Sequence, residues 1–395
     1  MSTLTDNKSP LKLPPLSLYV HLPWCVKKCP YCDFNSHALK GAIPAEEYIR
    51  ALVADLENDL PLVWGRPVRS VFFGGGTPSL FSAAQIGRFL SAVRSRLQLV
   101  PAAEITLEAN PGTVEYDSFT AYRDVGINRI SLGVQSFDDA ALMRIGRIHG
   151  RREVEQAIQS IKDAGLDNFN LDLMFALPRQ TLQAAVEDMS EALRHNPSHV
   201  SHYQLTLEPN TAFHAQPPQL PGEDARWEMQ QACEALLMAD GFEQYEISAW
   251  ARPQRQCVHN LNYWRYGDYL GIGAGAHGKI TLPAEGAIRR LCKQRHPQTY
   301  LQALQSGHWR AEDRAIGEQE RYFEFFLNQL RLREGVHIED FGPRTGMNWS
   351  RVTDVVSQAQ EKGLLQQREQ KLVPTGLGWR FVNETQMLFL PPECP

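Results

Sequence analysis

Apolar runs and amphipathic stretches alternate through the first half of the chain. "LSLYVHL" (16–22), "VRSVFFGGG" (68–76), "AEITLEAN" (103–110), "INRISLGVQ" (127–135), "FNLDLMFALP" (169–178) and "VSHYQLTLEP" (200–209) each read as a strand. The segments between them read as helices. After Pro44, residues Tyr48, Leu52, Leu56 and Leu60 recur every fourth position and lay one apolar stripe along a helix. Ser82 with Gln85 predicts a capping box before "IGRFLSAV". A weak echo, "GINRISL" (126–132), "GLDNFNL" (165–171) and "GFEQYEI" (241–247), sets a glycine before each apolar alternation. A glycine there suits the left-handed residue that stops a helix before the chain enters a strand. Repeated helix-stop, strand-start units imply parallel strands joined by right-handed crossovers. Six units fall short of a closed eight-stranded barrel, so the expected fold is α/β, a partial (β/α)6 barrel. Ligands of such sheets gather at the carboxyl ends of the strands.

Beyond about residue 212 the pattern changes. "HAQPPQLPG" (214–222) reads as a loop and "EDARWEMQQACEALLMADG" as one amphipathic helix. Residues 251–305 carry polar, aromatic and glycine positions with little periodicity and read as a connecting segment. From about 317 a helix ("EQERYFEFFLNQLRL"), a second helix near 350–362 and a hairpin in "GLLQQREQKLVPTGLGWRFV" predict a small winged-helix-like C-terminal domain. The expected organisation is therefore a disordered lead at 1–15, a core domain at 16–250, the connector at 251–305 and a helical domain at 306–395.

Composition narrows the chemistry. The formal net charge of −5, and a C-terminal region in which acidic residues outnumber basic ones, argue against a nucleic-acid partner. No apolar run approaches the roughly 18 residues that span a bilayer, which leaves only peripheral membrane contact open. "MSTLTDNKSPLKLPP" lacks the apolar core of a signal peptide, so a cytoplasmic location is expected. The seven cysteines, three of them clustered, argue against a disulfide framework in a reducing compartment. For Cys233, Cys257, Cys292 and Cys394 a small buried side chain or free thiol is the simpler reading.

The cluster is "CVKKCPYCDF": Cys25, Cys29 and Cys32 follow an apolar strand and converge only from a loop. Thiolates are the usual ligands of zinc and of iron–sulfur clusters. His21 or His37 would complete a Cys3His zinc site. Three thiolates on a four-iron cluster would instead leave one iron open to an exchangeable molecule. The spacing Cys25-x3-Cys29-x2-Cys32 resembles the signature of radical S-adenosylmethionine (SAM) proteins. "LYVHLPWC", "FFGGGTPS", "EANP", "SLGVQSF", "IGR" and "NLDLMFALP" resemble, in order, the coproporphyrinogen-dehydrogenase branch of that superfamily. The resemblance implies a [4Fe-4S] cluster on the three cysteines, served by an electron donor. It also implies SAM contacts from Tyr19, Gly75, Gly76, Thr77, Glu108, Gln135, Arg147, Asp172 and Thr206. Asp172 stands out on its own, because a carboxylate amid "NLDLMFALP" needs a polar cavity or a partner.

Two features divide the branch. The dehydrogenases carry a further cysteine two places after the third, where this chain has Phe34. "HNLNYWRYGDYLGIGAGAHG" (259–278) contains His259-Asn260-x-x-Tyr263-Trp264, which resembles the HNxxYW motif of HemW-type heme chaperones. That resemblance implies heme binding and transfer to acceptor proteins such as apo-cytochromes or respiratory proteins. Imidazole ligates iron and aromatic faces cover a macrocycle, so His259 is the heme-ligand candidate, with Cys257 and His277 nearby. The competing readings are a packing role for His259, an oxygen-independent coproporphyrinogen III dehydrogenase, and a radical-SAM enzyme acting on another substrate.

Overall fold

The computed structural model describes residues 9–112 and 117–391. All six apolar runs form strands: β1 Leu16–Leu22, β2 Pro67–Gly75, β3 Gln98–Ala109, β4 Arg129–Gln135, β5 Phe169–Phe175 and β6 His199–Gln204. They pair in chain order and run parallel throughout. The continuous burial of β4 is what a parallel strand covered on both faces requires. The helix Ala45–Asp59 turns Tyr48, Leu52 and Leu56 into the core, and Leu60 lies just past its end. The Ser82 cap is reciprocal: Gln85 N–H donates to Ser82 Oγ (3.2 Å), and Ser82 N–H donates to Gln85 Oε1 (2.9 Å). Gly126, Gly165 and Gly241 all have positive φ, as the helix stops require. The third leads into an antiparallel strand, so the crossover unit is not repeated there.

The sheet is wider than six strands. It also contains β7 Glu243–Glu246, β8 Ala249–Ala251, β9 Asp268–Ile272, β10 His277–Leu282, β11 Ala287–Lys293 and β12 Arg310–Ala315. The order is β12-β11-β10-β9-β1-β2-β3-β4-β5-β6-β8-β7, an open twelve-stranded sheet. β9 lies parallel to β1 and makes a seventh parallel strand; β7, β8 and β10–β12 attach antiparallel. Residues 251–305 are therefore not a connector but part of the main sheet. They lack apolar periodicity because several of their inward positions are charges that meet buried partners. Asp268 accepts from Arg66 Nη1 (2.8 Å), Lys279 Nζ (2.9 Å) and both Thr281 N–H and Oγ1 (2.8 Å each). Lys293 pairs with Asp55 and, at 2.7 Å, with Asp59, both from the first helix.

The main core packs these helices on the sheet, and a second cluster belongs to the C-terminal region. There the helices Glu318–Gln329, Ile338–Thr345 and Thr353–Glu361 accompany an antiparallel hairpin, Leu365–Arg368 with Lys371–Pro374. The expected helix and hairpin are present. Ile338–Thr345 was obscured by its internal Pro343. Leu11 is buried in this second cluster, and Lys12 N–H donates to Pro343 O (2.9 Å). Residues 9–15, expected within a disordered lead, are thus packed down. Residues 1–8 and Cys394 lie outside the described residues. Among the described residues no helix is long and apolar enough to cross a membrane.

Asp268 clamps β9 to β10 and to Arg66, the residue that leads into β2. Asp268→Asn would leave Arg66 and Lys279 buried with their charge uncompensated, at a cost of about 3–5 kcal/mol. A matching fall in the urea midpoint is expected. An unchanged midpoint would contradict the clamp.

Candidate cofactor and ligand site

Beyond Leu22 the chain runs through Pro23 into a two-residue strand, Trp24–Cys25, paired with His37–Ala38. The loop between them carries Cys29 and Cys32, turned tightly by Cys32 N–H donating to Cys29 O (3.1 Å). The loop is anchored to the end of β2. Gly76 N–H donates to Leu22 O (2.8 Å) and Thr77 N–H to Trp24 O (2.7 Å). A Cβ on Gly76 would stand 2.4 Å from Trp24 O, so only glycine lets the two backbones approach. Gly76, a SAM contact by resemblance, is first of all room for the cysteine loop.

Cys25, Cys29 and Cys32 line a cavity of about 140 Å³ together with Gly75, Gly76, Thr77, Glu108, Gln135, Arg147 and Asp172. Nine sequence-predicted positions from four strands and two loops, plus Arg147, thus meet at the carboxyl ends of the sheet. Arg147 ties the cavity together: it donates to Asn110 Oδ1 (2.6 Å), Gly133 O (2.8 Å) and Cys29 Sγ (3.6 Å). Asn110 in turn donates to Thr77 Oγ1 (3.0 Å). Gln135 has φ 72°, a left-handed conformation that costs a non-glycine residue on the order of 1 kcal/mol or more. The β4 register shifts just before it, and Tyr203 Oη–H donates to its Oε1 (2.9 Å). Burial raises the thiols of Cys25 and Cys32 above their ordinary value.

Two carboxylates face this cavity. Glu108 accepts from Gly75 N–H (3.1 Å), and burial, reinforced by Asp172, pushes its pKa up to about 7. Asp172 accepts from Ser131 Oγ (3.1 Å) and Asn170 Nδ2 (2.9 Å), and burial raises it too. The donor set fits a thiolate-held cluster beside a polar ligand. His21 is not available as the fourth ligand of a Cys3His zinc ion. His21 is engaged at both nitrogens, by Tyr19 Oη and Asn35 O at 2.9 Å each. Among the described residues no three His, Cys, Asp or Glu side chains are grouped to hold one metal ion. Thr206 is not brought in: it is exposed, two residues beyond the end of β6, and Tyr203 lines the cavity from that strand instead.

A larger cavity of about 820 Å³ adjoins the first, and Phe34, Gly75 and Glu108 border both. Tyr19 faces this larger space rather than the cysteine pocket. Tyr263, Trp264, Tyr266 and Tyr269 supply aromatic walls, and Lys279, Arg290 and Arg295 supply cations. His259 does not line it. Its ring is 1% exposed and stacks on Phe72 (5.0 Å between centroids). Nδ1 meets Ser70 Oγ and Nε2 meets Tyr263 Oη, each at 2.9 Å. Burial lowers its pKa to about 3. With both nitrogens engaged, His259 holds Tyr263 in the cavity wall and offers no free donor to iron. Cys257 is fully buried, with its thiol pushed up to about 12 by burial.

Sequence reasoning missed several residues. Glu104 on β3 accepts from Val258 and His259 N–H (3.1 Å each) and so seats the helix Val258–Trp264. Asn110, inside "EANP", and Tyr203 were visible only as members of strand-end runs.

The raised pKa of Glu108 has a signed consequence. The folded chain keeps a proton that the unfolded chain releases above its ordinary 4.5. The stability contributed by Glu108 should therefore fall as pH rises from about 4.5 to about 7, then level off. The difference in urea midpoint between the wild-type chain and Glu108→Gln should change across that range by an amount equivalent to about 1–3 kcal/mol. Equal slopes in the two proteins would contradict the assignment.

Residues 19–192 match the radical SAM superfamily, and residues 316–381 match the HemN C-terminal domain. Heme chaperone HemW of Escherichia coli (strain K12) is 49% identical over 380 residues, 96% of this chain and 99% of that protein. Heme chaperone HemW of Lactococcus lactis is 32% identical, over 95% of this chain and 97% of its own length. In Bos taurus, radical S-adenosyl methionine domain-containing protein 1, mitochondrial, is 36% identical over 88% and 81%. Among solved structures, the radical SAM enzyme coproporphyrinogen III oxidase (HemN) of Escherichia coli superposes with a TM-score of 0.80. It covers 95% of this chain and 90% of its own at 24% identity, which establishes a common fold. With its relatives matched along nearly the whole length, the chain belongs to the HemW heme chaperone family of the radical SAM superfamily.

Proposed function

We propose that this protein binds heme in the larger cavity and delivers it to acceptor proteins, while the smaller cavity holds a [4Fe-4S] cluster and SAM. The observation that carries the reading is the pair of adjoining cavities with different chemistry. The smaller is lined by three thiols, a guanidinium and two buried carboxylates. Cys25, Cys29 and Cys32 would ligate the cluster, which supplies an open iron site and one-electron reducing power when bound. Arg147 suits the carboxylate of SAM, and Glu108 and Asp172 suit its ribose hydroxyls and cationic groups.

The larger cavity, at about 820 Å³, is within the range of pockets that enclose a cofactor. Its aromatic walls suit a flat macrocycle, and Arg295, which among the described residues has no carboxylate partner, suits a propionate group. A heme reading is favoured over porphyrinogen oxidation by the names of the relatives and by Phe34, which stands where the dehydrogenases carry a cysteine. Phe34 is 62% exposed at the border of the two cavities.

Titration of the anaerobically reconstituted protein with hemin should give a saturable Soret change at one heme per chain. Incubation with coproporphyrinogen, SAM and reductant should yield no protoporphyrinogen. Non-saturating hemin uptake, or steady protoporphyrinogen formation, would overturn the proposal.

A further inference from the structure

Two histidines line the larger cavity, His21 and His277. His21 has no nitrogen to spare: Tyr19 Oη holds Nδ1 and Asn35 O holds Nε2. His277 differs. It opens β10 and sits opposite Cys292 of β11 in the antiparallel register. Its side chain is exposed to the cavity, and among the described residues the ring has one hydrogen-bond partner, Cys292 Sγ at 3.7 Å from Nε2. That contact is long and sulfur is a weak acceptor, so it is readily given up to a metal.

The surroundings are those a heme needs at its iron and its edge. Arg290 and Arg295 lie close enough to His277 to lower its basicity, although burial contributes more. A neutral imidazole is the ligating form. The two guanidinium groups also supply positive charge for propionates on the same wall. Arg295 is exposed and, among the described residues, its side chain donates only to Asn35 Oδ1, at 3.3 Å, whereas Arg290 is already paired with Glu324. Cys292 is the other soft donor on this wall, and its Sγ is engaged with Lys293 O (3.5 Å) as well as with His277.

We infer that the iron of heme held in the larger cavity is ligated by His277, and that His259 acts only by positioning Tyr263. The inference rests on the heme reading above and names the ligand within it. It follows from geometry: His277 is the histidine that lines the cavity with a nitrogen free to turn toward it.

The test is hemin titration of the full chain and of His277→Ala, Cys292→Ala and His259→Gln, read by Soret position, electron paramagnetic resonance and affinity. Near-ultraviolet circular dichroism verifies that each variant is folded. His277→Ala should shift the Soret band, change the iron spin state and weaken binding at least about tenfold. Cys292→Ala and folded His259→Gln, which alter the wall but remove no iron ligand, should keep the wild-type iron spin state. A wild-type spectrum in His277→Ala would overturn the inference, as would a change of spin state caused by Cys292→Ala or by folded His259→Gln in its place. Failure of the wild-type chain to bind hemin saturably would instead overturn the heme reading itself, a result distinguishable from all of these.

Discussion

The backbone contact between Gly76–Thr77 and the extension of β1 governs the architecture of both cavities. β1 is the strand between β2 and β9, and its continuation through Trp24 is hydrogen-bonded to the turn after β2. The thiol-bearing loop therefore hangs over the middle of the sheet. The cysteine pocket opens toward β2–β6, and the larger cavity opens toward β9–β11. Any side chain at position 76 would collide with the Trp24 carbonyl and push the loop off its seat. The two cavities adjoin because one loop borders both.

Buried charge serves two different ends in the fold. Asp268 sits between Arg66 and Lys279, and Lys293 sits between Asp55 and Asp59. Burial alone would raise the Asp268 carboxyl, yet Lys279 and Arg66 hold it below the ordinary value. These pairs fasten the strands that wall the larger cavity. Glu108 and Asp172 are buried as well, but their partners are neutral amides and hydroxyls, and both carboxyls are raised. Carboxylates whose hydrogen bonds come from neutral groups, with Arg129 lowering them less than burial raises them, are poised for a ligand that brings positive charge or hydroxyl donors. Structural acids and site acids are thus separated by what faces them.

The six parallel strands were legible because each is buried on both faces and so writes itself as an apolar run. The Ser82 cap and the three helix-stop glycines were legible because their signals are local. β9, β10 and β11 were not. Their inward positions include Asp268, Lys279 and Lys293, whose partners lie 11 to 238 residues away, so no local pattern announces burial. The site divides in the same way. Cys25, Cys29, Cys32, Glu108 and Asp172 could be found from spacing and from polarity at strand ends. The role of His259 could not, because it depends on Ser70 and Phe72 of β2 rather than on its own motif. Thr206, which the resemblance alone supplied, lies outside the cavity because β6 ends at Gln204.

Two adjoining sites with separate chemistry are the central claim, and one measurement addresses it directly. Hemin stoichiometry would be compared between the wild-type chain and the triple variant Cys25→Ser, Cys29→Ser, Cys32→Ser, under anaerobic conditions. The account predicts that the variant loses its iron–sulfur absorbance yet still binds one hemin per chain with the wild-type Soret band. Loss of hemin binding together with the cluster would contradict it, since the thiols would then be holding the heme.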